Sequence, residues 1–277
     1  MEQKKIVTIQ DISCFGKCSL TVALPIISAM GIGCAIIPTA VLSTHTGGFN
    51  GYTFKDLTDE IQKISDHWQS EGLSFDGVYT GYLGSKEQIR LVSDFFDRYK
   101  TDGNIIFVDP AMADNGKLYP GFGDDFPAGM ASLCAKADYI DPNMTEATLM
   151  LGEEYPGDNY DMDYVRSILK KLCALGCKTA ILTGVKQDDR QGAVAYDSVN
   201  DKYYEYFSEN LPMSCHGTGD VFSSALMGAL TLGKDMNEAL AIAVDYTVDC
   251  MKLTYGDETH WYGVKFEQGI KKLVNRL

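Results

Sequence analysis

Residues 5–42, KIVTIQDISCFGKCSLTVALPIISAMGIGCAIIPTAVL, decide the fold class. The opening KIVTIQ (Lys5–Gln10) is a β-rich run that ends in a polar turn. Leu20–Met30 reads as a helix despite Pro25, and Gly31 stops it. Cys34–Leu42 (CAIIPTAVL) reads as a second buried strand with an interruption at Pro38. Strand, helix and strand in this order are the unit from which parallel, helix-covered sheets are built.

The alternation continues outward. Thr53–Gln69 carries apolar residues at helical spacing (Phe54, Leu57, Ile61, Ile64, Trp68). Phe75–Thr80 reads as a strand, Glu87–Tyr99 as a helix and Ile105–Val108 as a strand. Tyr139–Ile140 is a short strand, Thr145–Leu151 and Tyr164–Leu175 are helices, and Thr179–Leu182 is a strand. Gly192–Tyr196 and Lys202–Phe207, joined by the polar turn Asp197–Asp201, form a hairpin-like pair expected at an antiparallel sheet edge. Val221–Leu232, Met236–Leu253 and Lys265–Val274 close the chain as helices. With no low-complexity linker, repeat or long charge run, residues 1–277 are expected to form a single α/β domain.

Composition narrows the partners. The chain has 277 residues, 38 acidic against 24 basic, and a formal net charge of −14. A nucleic acid or an anionic membrane as main partner needs clustered Lys and Arg, so both are excluded. A small anion is not, because a few backbone N–H groups can hold it locally. No apolar run approaches ~18 residues, so no transmembrane helix is expected. The start MEQKKIVTIQD lacks a signal peptide's apolar stretch, and the cytoplasm is the expected compartment. Eight cysteines in a chain with a full core point to reduced thiols. The pairs Cys14/Cys18 and Cys173/Cys177 lack zinc-ribbon spacing, and four histidines argue against a multi-His metal site.

In open parallel sheets ligands bind beyond the carboxyl ends of the strands. Here those ends lead into Gln10–Gly16, Ser43–Gly48, Gly81–Ser85, Asp109–Asp114, Asp141–Glu146 and Thr183-Gly184, all polar or Gly-rich. The sharpest stretch is Cys215-His216-Gly217-Thr218-Gly219-Asp220, followed at once by the apolar Val221–Leu232. Glycines let backbone approach a ligand. The first N–H groups of a helix lack internal partners and carry partial positive charge. Gly217, Thr218 and Gly219 therefore suit an anion hole for a phosphoryl group, with Asp220 beside it as a base. The plain alternative is a Gly turn with Asp opening a helix. Asp109, Asp114 and Glu146 suit a hard cation such as Mg²⁺; turn chemistry and a solvated helix face are their ordinary uses. Phe15-Gly16-Lys17-Cys18-Ser19 imitates the end of a Walker loop, but Asp11 stands where that loop requires glycine. Fingerprints of dinucleotide folds, nucleophile elbows and zinc proteases are absent from the sequence.

These motifs together resemble the pyridoxal/pyridoxamine kinase group of the ribokinase-like superfamily. The markers are Ile9-Gln10, His45-Thr46-Gly47, Gly81-Tyr82, Asp109-Pro110 with Asp114, Pro142-Asn143 with Glu146, Thr183 and Gly217-Thr218-Gly219-Asp220, spread over nearly the whole chain. The resemblance implies a three-layer sandwich with a central, mostly parallel sheet, helices on both faces and an antiparallel edge. It implies ATP-dependent phosphorylation of the 5′-hydroxymethyl group of a vitamin B6 vitamer, with Asp220 as base and Gly217–Gly219 as anion hole. Asp109, Asp114 and Glu146 would arrange Mg²⁺ and a monovalent cation such as K⁺. Asn143 and Thr183 would contact ATP, Thr46 and Tyr82 would line the vitamer pocket, and a homodimer is expected.

The chain departs from that pattern at Asp11, where many members have Ser, and at Asp141, where Thr often stands. Asp11 either pairs with a positive vitamer group or is a buried Asp held within its loop. The sequence does not single out the loop that closes over ATP; Ala111–Gly123, with three glycines, is a candidate. Hydroxymethylpyrimidine kinase of the same superfamily is the nearest rival function. A non-catalytic vitamer binder would have no need of Asp220, and a metal-dependent hydrolase would lack His ligands.

Overall fold

In a computed structural model, which describes residues 2–277, the opening unit forms as expected. β1 (Lys5–Ser13) and β2 (Gly33–Leu42) pair in parallel across α1 (Leu20–Ala29). There follow β3 (Phe54–Asp56), α2 (Thr58–Ser70), β4 (Gly77–Thr80), α3 (Lys86–Tyr99) and β5 (Ile105–Val108). Next come β6 (Ala113–Asp114), β7 (Lys117–Leu118), α4 (Phe126–Cys134), β8 (Tyr139–Ile140), α5 (Met144–Leu151) and α6 (Met162–Ala174). The chain ends with β9 (Thr179–Gln187), β10 (Arg190–Asp197), β11 (Lys202–Glu209), α7 (Thr218–Thr231), α8 (Met236–Thr254) and α9 (Phe266–Val274).

Nine strands form one mixed, mostly parallel sheet in the order β11-β10-β9-β8-β5-β4-β1-β2-β3. β10 and β11 pair antiparallel, as expected of the hairpin at one edge, and β3 adds an antiparallel strand at the other. Ile6, Val7, Thr8, Ile9 and Gln10 are all fully buried. Successive strand residues point to opposite faces, so both faces of β1 are covered. That is the signature of a sheet between helix layers.

The chain divides into two compact units: Met1–Tyr79 with Leu211–Leu277, and Thr80–Asn210. In the first, α7 is the core helix. Every residue from Val221 to Thr231 is buried, as befits a helix apolar or small all round. Gly228 lets α7 approach α1, since a Cβ there would overlap the Met30 sulfur. In the second unit the amphipathic α3 and α6 bury apolar stripes, Ile89, Val92, Phe95 and Phe96 on one and Val165, Ile168, Leu169 and Leu172 on the other.

Several local expectations need correction. The helix expected over Thr53–Gln69 begins only at Thr58, because Phe54–Asp56 is taken up as an edge strand on β2. The Asp56 carboxylate then accepts the Thr58 N–H and marks the turn into α2. Pro38 does not interrupt β2; it pairs with Gln10, and the register slips just beyond it, between Gln10/Pro38 and Ile12/Val41. β9 runs five residues past Leu182, through Gly184 in a left-handed conformation (φ 68°). Ala111–Gly123, expected as a plain loop, contains the β6–β7 ribbon, turned by Asn115 and Gly116, both at positive φ. That Asn-Gly pair is the standard signal of a two-residue hairpin. α4 had no counterpart in the sequence reading, as its nine residues FPAGMASLC show little periodicity.

Candidate active site

In the first unit the chemistry gathers at the head of α7. Gly217 is its N-cap and adopts φ 79°, ψ 4°. Only glycine fits there, because a Cβ would overlap the Lys17 carbonyl. The Val221 N–H closes the first helical bond onto the Gly217 carbonyl at 3.0 Å. The N–H groups of Thr218, Gly219 and Asp220 therefore have no intrahelical acceptor. A Cβ built on Gly219 meets nothing within 4 Å, so the turn opens onto free space there. The Thr218 hydroxyl donates back to the Cys215 carbonyl at 3.2 Å and ties down the preceding turn. Asp220 occupies the first turn. Burial, then the Asp220 and Asp11 carboxylates, push the Cys18 thiol well up, which puts Cys18 near both acids.

Asp11 lies near the end of β1, buried, and accepts hydrogen bonds from the Ser13 hydroxyl at 2.9 Å and from Ser19. Burial raises its carboxyl above the ordinary value, and the two hydroxyls oppose this. Thr46 is exposed in the loop after β2. Its neighbour His45 is buried and clasped on both ring nitrogens. The Gly47 N–H donates to Nδ1 at 3.1 Å, so Nε2 carries the proton and donates to the Tyr262 carbonyl at 2.8 Å. Burial lowers the His45 pKa; the Tyr262 carbonyl opposes this and His216 adds to it. Around it stand Phe15, Phe49, Trp261 and Tyr262, with ring centroids 4.6–6.2 Å apart in successive pairs. Sequence reasoning missed this aromatic group. Its members come from three separate segments, and only the adjacent Trp261-Tyr262 pair offered a signal.

In the second unit another cluster forms. Tyr82, after β4, packs against Phe122 at 5.5 Å between ring centroids. Asn143 and Glu146 build a capping box at the start of α5. Asn143 Oδ1 accepts the Glu146 N–H at 3.0 Å, and Glu146 Oε2 accepts the Asn143 N–H at 2.9 Å. Glu146 Oε1 also accepts the Met112 N–H at 3.1 Å, while Asn143 Nδ2 donates to the Ala113 carbonyl. Thr183 donates through both its N–H and its hydroxyl to the Pro142 carbonyl and forms a bridge to Asn143. Asn143, Glu146, Thr183 and the chain after β5 are thus one hydrogen-bonded assembly.

Asp109 and Glu146 are both buried, and they face each other electrostatically. Burial first, then Asp109, raises the Glu146 carboxyl well above its ordinary value, against three backbone N–H bonds. Asp114, the third expected acid, is exposed and turned to Asn115, whose N–H it accepts at 2.8 Å. Among the described residues no three His, Cys, Asp or Glu side chains gather as a metal-binding group. The hard-oxygen pair Asp109 and Glu146 fits a divalent cation. Glu146 would act through water, because both its oxygens already serve backbone donors.

A left-handed glycine turn at the head of a core helix, open at Gly219 and with a carboxylate in the helix's first turn, is an arrangement that can receive an anion. The sequence pattern of the phosphomethylpyrimidine kinase family matches residues 23–263. The chain belongs to that family. Among the kinase's relatives is the pyridoxine/pyridoxal/pyridoxamine kinase of Bordetella avium (strain 197N), 25% identical over 263 residues, covering 90% of this chain and 85% of the relative. A solved protein of Bacteroides thetaiotaomicron VPI-5482, assigned to the phosphomethylpyrimidine kinases and crystallised with pyridoxal, is 36% identical with a TM-score of 0.93, covering 98% and 96% of the two chains. Pyridoxal kinase from Lactobacillus plantarum superposes with a TM-score of 0.90 at 29% identity, covering 99% and 98%. Among the described residues no helix is long and apolar enough to cross a membrane.

Proposed function

We propose that residues 1–277 act as one kinase domain that transfers the γ-phosphoryl group of ATP to the 5′-hydroxymethyl group of a vitamin B6 vitamer. The observation that carries this is the turn at Gly217, left-handed and open at Gly219, with Asp220 behind it. A loose phosphoryl-transfer transition state asks chiefly for positioning and for charge stabilisation on the equatorial oxygens. The backbone N–H groups of the Gly217–Gly219 turn at the head of α7 supply the latter. Asp220 accepts the proton of the attacking hydroxyl as the O–P bond forms. Asn143 and Thr183 serve the ATP side, and Thr46 and Tyr82 the vitamer side.

Asp109 and Glu146 would hold Mg²⁺, which would neutralise phosphate charge, and a monovalent cation such as K⁺ would complete the proposed ion set; Asp114, exposed and turned to Asn115, would reach it only by swinging away from that partner. A chain of net charge −14 binding an anion has special need of such cations, and turnover is expected to stop in EDTA. The aromatic group around His45 favours a flat heteroaromatic alcohol.

A pyrimidine alcohol shares that chemistry, and the family description favours it as the second reading. The deciding experiment measures ATP-dependent phosphorylation of pyridoxal, pyridoxamine, pyridoxine and hydroxymethylpyrimidine side by side, with Mg²⁺ and K⁺ varied. The proposal expects kcat/KM at least about tenfold higher for one B6 vitamer than for the pyrimidine. The reverse order would hand the function to the second reading. Size-exclusion with light scattering tests the proposed homodimer.

A further inference from the structure

We propose that Asp11 is a positioning residue: through Ser13 and Ser19 it holds the Cys14–Ser19 loop so that the Lys17 carbonyl packs against Gly217 and sets the anion hole. The inference rests on the phosphotransfer reading above and says how that site is kept in shape.

The starting point is Ser19. It is buried and adopts φ 56°, ψ −133°, a region that side-chain-bearing residues rarely occupy. It is the N-cap of α1, and its carbonyl accepts the Val22 and Ala23 N–H groups, each at 2.9 Å. A serine at an N-cap ordinarily turns its hydroxyl to the helix. Here the side chain makes no capping bond and is spent on Asp11. Strained backbone persists only where its surroundings over-determine it. Asp11 contributes to this, since its one carboxylate meets Ser13 in β1 and Ser19 at the N-cap of α1. A bridge between Ile12 and Ser19 runs alongside.

The loop closed by this latch leads to the site. Cys14 and Phe15 donate to the Leu42 and Ser43 carbonyls and fix its near half. Lys17 is pinned at several points. Its carbonyl fills the space a Cβ on Gly217 would need, and its Cβ lies where one on Gly263 would go. Its ammonium pairs with Glu267 and sits 5.3 Å from the Phe266 ring centre. A shift of Lys17 therefore moves Gly217, whose backbone is the first element of the anion hole. With its carboxylate engaged by two hydroxyls, Asp11 has its hydrogen-bonding role within the protein rather than on the vitamer.

Asp11→Ala and Asp11→Asn separate the two roles. Asn keeps both bonds, because a hydroxyl can accept from the amide nitrogen as readily as donate to the amide oxygen. As positioning predicts, Asp11→Ala lowers kcat about tenfold or more on every alcohol substrate alike, leaves KM for the alcohol within about threefold, and Asn restores kcat to within about threefold of wild type. Asn failing as badly as Ala, with the loss confined to KM for amine-bearing vitamers, would overturn the proposal in favour of a direct charge contact.

Limited trypsinolysis at Lys17, read by mass spectrometry on folded protein at a temperature where circular dichroism is unchanged, supplies a readout independent of turnover. Cleavage after Lys17 should quicken at least about tenfold in Asp11→Ala and not in Asp11→Asn. Equal resistance in all three proteins, with kcat unchanged, would overturn it too. A wild type that phosphorylates none of the alcohols would refute the phosphotransfer reading alone, and the proteolysis result would then decide the latch.

Discussion

Gly217 and Gly219 stand two residues apart in one turn, and the structure assigns them opposite fates on substitution by alanine. At Gly217 the alanine would sit at φ 79°, at a cost of about 1–2 kcal/mol for a left-handed L-residue. Its Cβ would also overlap the Lys17 carbonyl, a backbone atom that cannot swing aside. Overpacking of that kind costs about 1–3 kcal/mol more. The sum, about 2–5 kcal/mol, corresponds to a fall in melting temperature on the order of 5–15 °C for a chain of this size.

At Gly219 nothing within 4 Å meets the new methyl group and no positive φ forbids it. There alanine should leave stability unchanged or raise it by up to about 1 kcal/mol through lower unfolded-state entropy. Yet the methyl would occupy the space in front of the turn's N–H groups, where the transferred phosphoryl is proposed to lie. Displacement by about 1 Å costs about 100-fold in turnover. Thermal unfolding and a coupled ADP-release assay on both variants settle the matter. Gly219→Ala with wild-type kcat would refute the anion hole at this turn, and Gly217→Ala with an unshifted melting temperature would refute the steric argument.

Three further outcomes are expected. Asp220→Asn should lower kcat by about 10²–10⁴ while calorimetry still detects vitamer binding; a loss under about threefold would deny it the role of base. His45 is neutral with its pKa depressed, so the unfolded chain takes up its proton first as pH falls. Its stabilising contribution is present above the unfolded value near 6.5 and is lost as pH falls below it toward the depressed folded value. The melting temperature of wild type should therefore drop from pH 7 to pH 5 more than that of His45→Gln, and parallel curves would contradict this. Glu146→Ala removes the capping box and strands the Met112 and Asn143 N–H groups, which should cost about 2–4 kcal/mol in a urea melt; an unchanged midpoint would count against it.

Legibility from sequence followed the physics of each element. β1, α1 and β2 were readable because buried parallel strands and a short apolar helix leave dense local signals, and the His-Thr-Gly and Gly-Thr-Gly-Asp stretches stand out by composition. α4 was not readable, because nine residues buried largely by tertiary packing carry no clear period. β3 was hidden inside a helical spacing, since Phe54 and Leu57 fit either element until pairing with β2 decides. The Asn115-Gly116 turn was legible in principle but lay between strands of two residues each. At the site the residue types were readable and their hydrogen-bonding was not. Nothing local says that Asp11 meets Ser19 across a loop, that Glu146 spends both oxygens on backbone N–H groups, or that Asp114 turns to Asn115.

The eleven consecutive buried residues of α7 have a further implication for how such a kinase can change over time. A helix without a solvent face has no position where drift is free, so a saturation scan should find Val221–Thr231 nearly blank, tolerating only swaps of equal volume. The loops that carry Thr46 and Tyr82 bear no such burden throughout. Novelty in substrate choice must therefore accumulate there, while the helix behind the reacting group stays as the inherited, almost unwritable part of the chain.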